Sequence, residues 1–282
     1  EIDKFKTTLG ALSLNFKPSE KAKIKLTTSI FRTKEELFYD VQGQYSLGQL
    51  ENNIGSDEYG NVVINKGVGS YRNHARNEIF ADVFNSYIDG EMNVNNHTIN
   101  WGIKYQHEKI EDRIREWESV DSAGYSVSYI SNDALELYDF TKGNSKLSSN
   151  RIKNYIQVKS KNYSLSNNAK INYTGGIRTN YWDFNNEFFI SPRLIIGYKP
   201  DWKKDFVFSA SIGSYNQSPF FREIRDKFGN INENIKSQKS IHYVLSSDYQ
   251  FEMWDRPFKF NSAIYYKYLW DLIPYEINNL QI

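Results

Sequence analysis

A chain of 282 residues has room for one large domain or two ordinary ones, and its net charge of +1 gives no reason to expect nucleic acid or an acidic partner. The absence of cysteine removes disulfides, thiolate metal sites and cysteine nucleophiles together. Mean hydropathy is −0.66, and no apolar run approaches the roughly 18 residues of a spanning helix, which excludes helical membrane spans but not a β-barrel.

In chain order, Glu1-Ile2-Asp3-Lys4 is not a signal peptide, lacking a basic segment followed by an apolar one. Thr8 to Phe16 reads as a strand with Leu12, Leu14 and Phe16 on one face. Pro18-Ser19-Glu20 turns it, and Ile24, Leu26, Thr28 and Ile30 mark its return. Thr33-Lys34-Glu35-Glu36 has capping-box spacing and predicts a brief helical turn. The glycine-rich stretch from there to Arg72 keeps no period and reads as a long functional loop.

Asn77 to Asn93 reads as a strand and Val94-Asn95-Asn96-His97 as a tight turn. Ile99, Trp101, Ile103 and Tyr105 then alternate with Asn100, Gly102, Lys104 and Gln106. Ile110, Ile114 and Trp117 fit either continued strand or helix, with strand favoured. Residues 119–150 read as a second long loop, in which Asn132 or Asp133 caps a short helix through Tyr138. Arg151 to Leu165 is a strand whose pattern slips near Lys159, as at a bulge.

After Ser166-Asn167-Asn168, the alternation over 171–181 opposes Ile171, Tyr173, Ile177 and Tyr181 to Lys170, Asn172, Arg178 and Asn180. Phe188 to Asp226 carries the clearest hairpin. Ile190, Pro192, Leu194, Ile196 and Tyr198 face one way, Phe206, Phe208, Ala210 and Ile212 answer them, and residues 200–204 turn the chain between. Ser218, Pro219 and Gly229 carry the signals of a helix start and stop, so a helical loop is predicted there. The strand with Tyr243, Leu245, Tyr249 and Phe251, the turn over 254–257 and the strand from Phe258 to Tyr268 complete about ten strands.

Short turns fall at one end and long loops at the other, with 184–187 the exception. That layout predicts an all-β fold, a transmembrane antiparallel up-and-down β-barrel with short periplasmic turns and long extracellular loops. Phe16, Tyr198, Trp202, Phe206, Phe251, Trp254 and Phe258 sit beside the short turns, as an aromatic girdle requires. The polar faces would line the lumen with Lys104, Gln106, Lys170, Asn172, Arg178, Arg193, Lys259, Asn261 and Lys267.

Chemistry-bearing constellations are scarce. His74, His97, His107 and His242 lack ligand spacing, Asp57-Glu58-Tyr59-Gly60-Asn61 lacks the EF-hand ligand sequence, and Gly67-Val68-Gly69 is no phosphate loop. Neither a catalytic triad order nor a carboxylate pair stands out, so the reading is of a protein that is not an enzyme, with no cofactor. The candidate ligand-binding residues are Phe220, Phe221, Arg222 and Arg225 of the surface loop, with Arg178 and Arg193 of the lumen.

Ser191 to Ile224, SPRLIIGYKPDWKKDFVFSASIGSYNQSPFFREI, resembles the barrel of TonB-dependent outer-membrane receptors. There Ser-Pro-Arg precedes a periplasmic turn and Tyr-x-Gln-x-Pro-Phe a surface loop. Gly43-Gln44-Tyr45 through Gly48-Gln49-Leu50, with Asn53-Ile54-Gly55-Ser56-Asp57, resembles the family's large early extracellular loop. The resemblance implies a twenty-two-stranded barrel in the outer membrane of a Gram-negative bacterium, closed by a plug and energised through a TonB box. It implies uptake of a nutrient of siderophore, glycan, peptide or cobalamin class. The partners would be outer-membrane lipid, a TonB-type energising complex acting through the plug, a small nutrient ligand and in some cases a surface lipoprotein. Residues 1–282 read as part of one such barrel, with plug and C-terminal strands outside the chain. The alternative is a non-transporting barrel that acts as a structural or docking subunit of a larger membrane complex.

Overall fold

Alternation governs the chain almost from end to end. The computed structural model describes residues 1–121, 137–165, 167–226 and 228–274. Its strands are β1 (Ile2–Ser19), β2 (Ala22–Leu50), β3 (Val62–Val94), β4 (His97–Asp121) and β5 (Asp139–Ser160), then the two-residue β6 (Tyr163–Ser164). After these come β7 (Lys170–Trp182), β8 (Glu187–Lys199), β9 (Asp205–Gln217), β10 (Gln238–Met253) and β11 (Arg256–Trp270). They form one antiparallel sheet in the order β1-β2-β3-β4-β5-β7-β8-β9-β10-β11, with β6 beside β7. This is an up-and-down meander; β1 pairs only β2 and β11 only β10, so the described sheet is open.

Register assigns every residue to a face, because opposed partners share a side. One row runs Phe16, Ile24, Gly90, Trp101 and Ile156, and the next runs Leu14, Leu26, Ile88, Ile103 and Asn154. The intervening row on the other face runs Asn15, Lys25, Asp89, Gly102, Tyr155 and Arg178. The first face continues through Ile177, Leu194, Ile212, Tyr243 and Tyr266, and leaves Ile103, Leu194, Ile212, Leu245 and Ile264 exposed. A soluble sheet buries such a face; this one presents it outward.

The outward face changes character at one level. The row Thr8, Arg32, Asp82, Lys109 and Ser148 ends the apolar rows, and Arg32 donates to both oxygens of Asp82 at 2.6 and 3.0 Å. Beyond it Lys34 pairs with Glu36, Lys146 with Glu111 at 3.5 Å and Arg113 with Glu78 at 3.9 Å. At the opposite level aromatic rings join end to end. Trp202 lies 5.9 Å from Phe206, Phe206 stacks on Tyr249 at 4.2 Å, and Phe251 stacks on Phe258 at 5.6 Å. Phe188 to Tyr198 covers about 33 Å along β8 at about 3.3 Å per residue, or about 23 Å when tilted by about 45°, close to the apolar height of a membrane barrel.

Four expectations are corrected. Thr33 to Glu36 continues β2 instead of starting a helical turn, because each residue is paired on both sides, as in Thr7–Thr33–Ala81. The long loop to Arg72 is mostly strand, since β2 runs to Leu50 and β3 starts at Val62. The loop over 119–150 is also strand at both ends; its predicted helix cap at Asn132 or Asp133 lies outside the described residues. Among the described residues of 218–229 the helical structure is the 3₁₀ turn Phe221–Ile224. Glu223 folds back to accept from the Phe220 amide at 2.7 Å, and Arg225 turns extended and bridges Ile231, so no second helical turn follows. The slip near Lys159 is present as expected: β5 stops at Ser160, and between Lys159–Thr174 and Tyr163–Ile171 the register against β7 shifts by one residue, as at a bulge.

Helix-versus-strand at 110–117 resolves as strand, and the sorting of short and long connections stands. The turn after β10 is tighter than expected. Trp254 and Asp255 both have positive φ, 54° and 55°, which is the backbone of a two-residue hairpin turn.

Candidate ligand site on the concave face

Small residues on one side of β5 decide where the site forms. Thr141, Ser145, Leu147 and Ser149 are buried while Lys142, Asn144, Lys146 and Ser148 between them are exposed. The cover is the β9–β10 connection, residues 218–237, which leaves the rim and crosses to the inward side of β4 and β5. Ile224 and Phe221 pack with Leu147, Trp182 and Ile110. Arg225 forms a 2.7 Å ion pair with Asp112, both nearly buried. Ser145 Oγ donates to the Gly229 carbonyl at 2.9 Å. A Cβ on Gly229 would stand 2.8 Å from the Asn144 amide nitrogen, and its φ of +82° excludes most other residues, so glycine is required. At the loop's far end the Ser237 amide donates to Glu187 at 3.1 Å, and Asn185 donates to the Ile235 carbonyl at 3.1 Å.

Beneath this loop Glu108 accepts from Ser149 Oγ at 2.8 Å and from Arg151 at 3.0 Å. Trp182 Nε1 donates to Ser149 at 3.0 Å, and Arg151 lies 4.0 Å over the Trp182 ring. Gln106 Nε2 also donates to Glu108 at 3.2 Å, and the Glu108 pair answers the charge of Arg151 inside the wall.

The floor next to it differs. A cavity of about 530 Å³ is lined by Tyr87, Asp89, Lys104, Lys153, Arg178, Asn180, Arg193 and Asn216, among others. Lys104 and Lys153 are directly opposed across β4 and β5, an arrangement of like charges that is unfavourable unless something answers it. Among the described residues no carboxylate stands within 4.0 Å of Lys104, Lys153, Arg178 or Arg193. Asp89 accepts from Tyr155 at 3.0 Å. Arg193 stacks 4.2 Å from the Tyr215 ring, and its Nε is buried without a hydrogen-bond partner, as are Asn180 Oδ1 and Asn216 Nδ2. The β8–β9 ladder stops at Arg193–Gly213, and the freed Asn216 is bonded to Ser191 at 3.1 Å, which places it over the cavity.

A second cavity of about 460 Å³ shares Lys153, Asn180 and Asn216 with the first and is roofed by Ser218, Pro219, Phe220, Phe221 and Ile224. The two cavities therefore adjoin at Lys153, Asn180 and Asn216. Of the residues singled out from sequence, Arg178 and Arg193 lie on the floor and Phe220 and Phe221 on the roof. Phe221 is half-buried in the loop's own packing, Arg225 is held by Asp112, and Arg222 is exposed beside them. Sequence reasoning missed Lys153, Glu108, Asp112 and Trp182. The small residues at alternate positions over 141–149 were the available signal, since a face of Ser, Thr and Gly invites a covering segment.

No protein-family model matches the chain, and no curated protein matches it. Solved structures do. The "Copper transporter OprC" is 10% identical over 88% of this chain and 43% of its own, with a TM-score of 0.43. The "RagAB peptide transporter" is 10% identical over 94% of this chain and 30% of its own, at 0.45. The outer membrane transporter YddB from Escherichia coli is 12% identical over 88% of this chain and 45% of its own, at 0.32. The chain spans less than half the length of these three structures.

Proposed function

We propose that this chain is part of the barrel wall of a TonB-dependent outer-membrane receptor, which binds a nutrient at the cell surface and passes it inward on energy from the inner membrane. The observation that carries this reading is the sheet's two unlike faces. An apolar outward face is bounded by an aromatic level and a charged row, and a polar concave face is roofed by its own loop. On this reading a plug, a TonB-type partner and the remaining strands lie outside residues 1–282. The ligand meets Phe220, Arg222, Arg178 and Arg193, and the barrel carries out no covalent chemistry.

The test is deletion of the full-length gene, with growth measured on a siderophore, a glycan, a peptide mixture or cobalamin as the limiting source. Loss on one source, restored by the intact gene only when the energising partner is present, supports the reading. Unchanged growth on every source, or restoration without the partner, points to a docking barrel and overturns it.

A further inference from the structure

We infer that the outward face of β4 and β5 is a docking site for one anionic phospholipid of the outer leaflet. Its phosphate lies against Lys109 and Lys146, and one of its acyl chains lies in the groove below them. The inference rests on the barrel reading and names a particular lipid contact on it. From Lys109 to Arg115 on β4, and from Lys142 to Lys146 on β5, the outward positions carry the cations Lys109, Arg113, Arg115, Lys142 and Lys146 against the one carboxylate of Glu111. Lys109 and Lys146 stand 3.6 and 3.5 Å from the same oxygen of Glu111, and their side chains are 56% and 64% exposed. One carboxylate shared by two ammonium groups leaves the trio positive, with donors still facing out. Arg115 and Lys142 are directly opposed higher on the same face, which adds like charge there. Basic clusters at the border of an apolar band attract anionic headgroups.

Further strands and a plug leave this face as it is. β4 has β3 and β5 on its edges and β5 has β4 and β7, so added strands join at β1 or β11, and a plug occupies the other side of the wall.

Below the cations the same two strands change character in the order that a lipid does. Asn150 Oδ1 accepts from Tyr105 Oη at 2.7 Å and from His107 Nδ1 at 3.0 Å, a hydrogen-bonded level beneath Lys109. The wall then opens into a groove of about 430 Å³, lined by Trp101, Ile103, Ile156 and Ile177, among others. Ile103, Ile156 and Ile177 are exposed on it. From Ile103 to Lys109 is about 20 Å along β4 at about 3.3 Å per residue, and about 14 Å of rise at a tilt of about 45°. That is about half of the roughly 30 Å hydrocarbon core, the depth of one leaflet. A lipid with its phosphate on the lysines therefore has its chain at the groove.

The experiment is native mass spectrometry of the full-length protein ejected from phosphatidylcholine nanodiscs that also hold phosphatidylglycerol with the same acyl chains. Phosphatidylglycerol should stay on the protein in preference to phosphatidylcholine. Lys109→Gln/Lys146→Gln should lower its retention at least about tenfold, the loss expected when charge-assisted contacts are removed. Lys109→Arg/Lys146→Arg keeps the charge and should keep the lipid. Ile103→Ala/Ile156→Ala, which cuts back the groove walls and leaves the charge, should also lower retention. Lys203→Gln/Lys204→Gln, which removes as much charge in the turn over 200–204, should retain lipid as the parent does. Glycerol 3-phosphate, the headgroup without its chains, should not displace the lipid.

Equal retention of the two lipids, retention unmoved by the glutamine pair or by the alanine pair, or displacement by glycerol 3-phosphate overturns the inference. A full-length protein that does not insert into phosphatidylcholine at all overturns the barrel reading. One that inserts and shows no preference overturns only this inference.

Discussion

Arg225 and Asp112 form the pair on which the loop's inward position turns. Removing one partner leaves the other charge nearly buried and alone, at a cost of about 3 kcal/mol or more. Arg225→Ala should release residues 218–237, seen as faster amide exchange there with little change in β7 or β11. Asp112→Ala/Arg225→Ala should cost less than the two single changes together, because neither charge is then left alone. Asp226 sets the local shape of the same loop. It accepts from the Phe228 and Asn230 amides at 2.9 and 2.8 Å and from the Asn230 side chain at 2.8 Å. That side chain first, and then the amides, hold its carboxyl below the usual carboxylate range. A depressed carboxylate stabilises above its unfolded value and stops doing so as pH falls through the folded one. Exchange at 226–230 should therefore be flat at neutral pH and rise only in acid below the ordinary carboxylate range. Asp226→Asn should remove that acid step; a step that persists would mean another group is responsible.

On the proposed reading each strand in the apolar half of the wall has one side for hydrocarbon and one for water, and that contrast is testable by position. Ile103→Lys, on the outward face, should destabilise the full-length protein in lipid vesicles by about 2–4 kcal/mol, as measured by urea unfolding. Gln106→Lys, facing inward, should change stability little. Equal effects would mean that the two faces share one environment. The same contrast explains what was legible in the sequence. Ile190 to Tyr198 and Phe258 to Tyr268 alternate cleanly because their two sides meet different media. Above Arg32 both sides of β2 are polar, as Arg32, Lys34 and Glu36 on one face and Thr33 and Glu35 on the other attest, so no period betrays the strand. Thr33 to Glu36 then imitates a helix start, and Gly43, Gly48, Gly67 and Gly69 imitate a loop although all four lie in β2 or β3. The floor was half legible. Arg178 and Arg193 stood out as cations on a polar face, whereas the joining of Lys153 to them depends on the register between β5 and β7, which no local pattern encodes.

At the scale of the molecule, the proposed reading carries a claim about sidedness. The receptor reading puts the turn over 200–204 in the periplasm and the loop over 218–237 at the surface. The loop's tucked part is sheltered by β4 and β5, so the accessible stretch is Asn232, Glu233 and Asn234. An epitope inserted at Asn234 of the full-length protein should bind antibody on intact cells, and one at Lys203 only after the outer membrane is permeabilised. The reverse pattern would invert the orientation.

The connection between β9 and β10 reaches β4, crossing the strands between and touching them at Glu187, Trp182 and Ser145. Geometrically it is a chord across an arc: its ends are rooted in one part of the curved wall and its middle is tied to another at Asp112, Gly143 and Ser145. A chord of fixed length sets the radius of the arc it spans. The segment that roofs the cavity therefore also holds the curvature that makes the floor concave. Replacing it by a loop of another length would change the spacing of Lys104, Lys153, Arg178 and Arg193 below, so a graft intended to alter the roof alone must carry its three anchor positions with it.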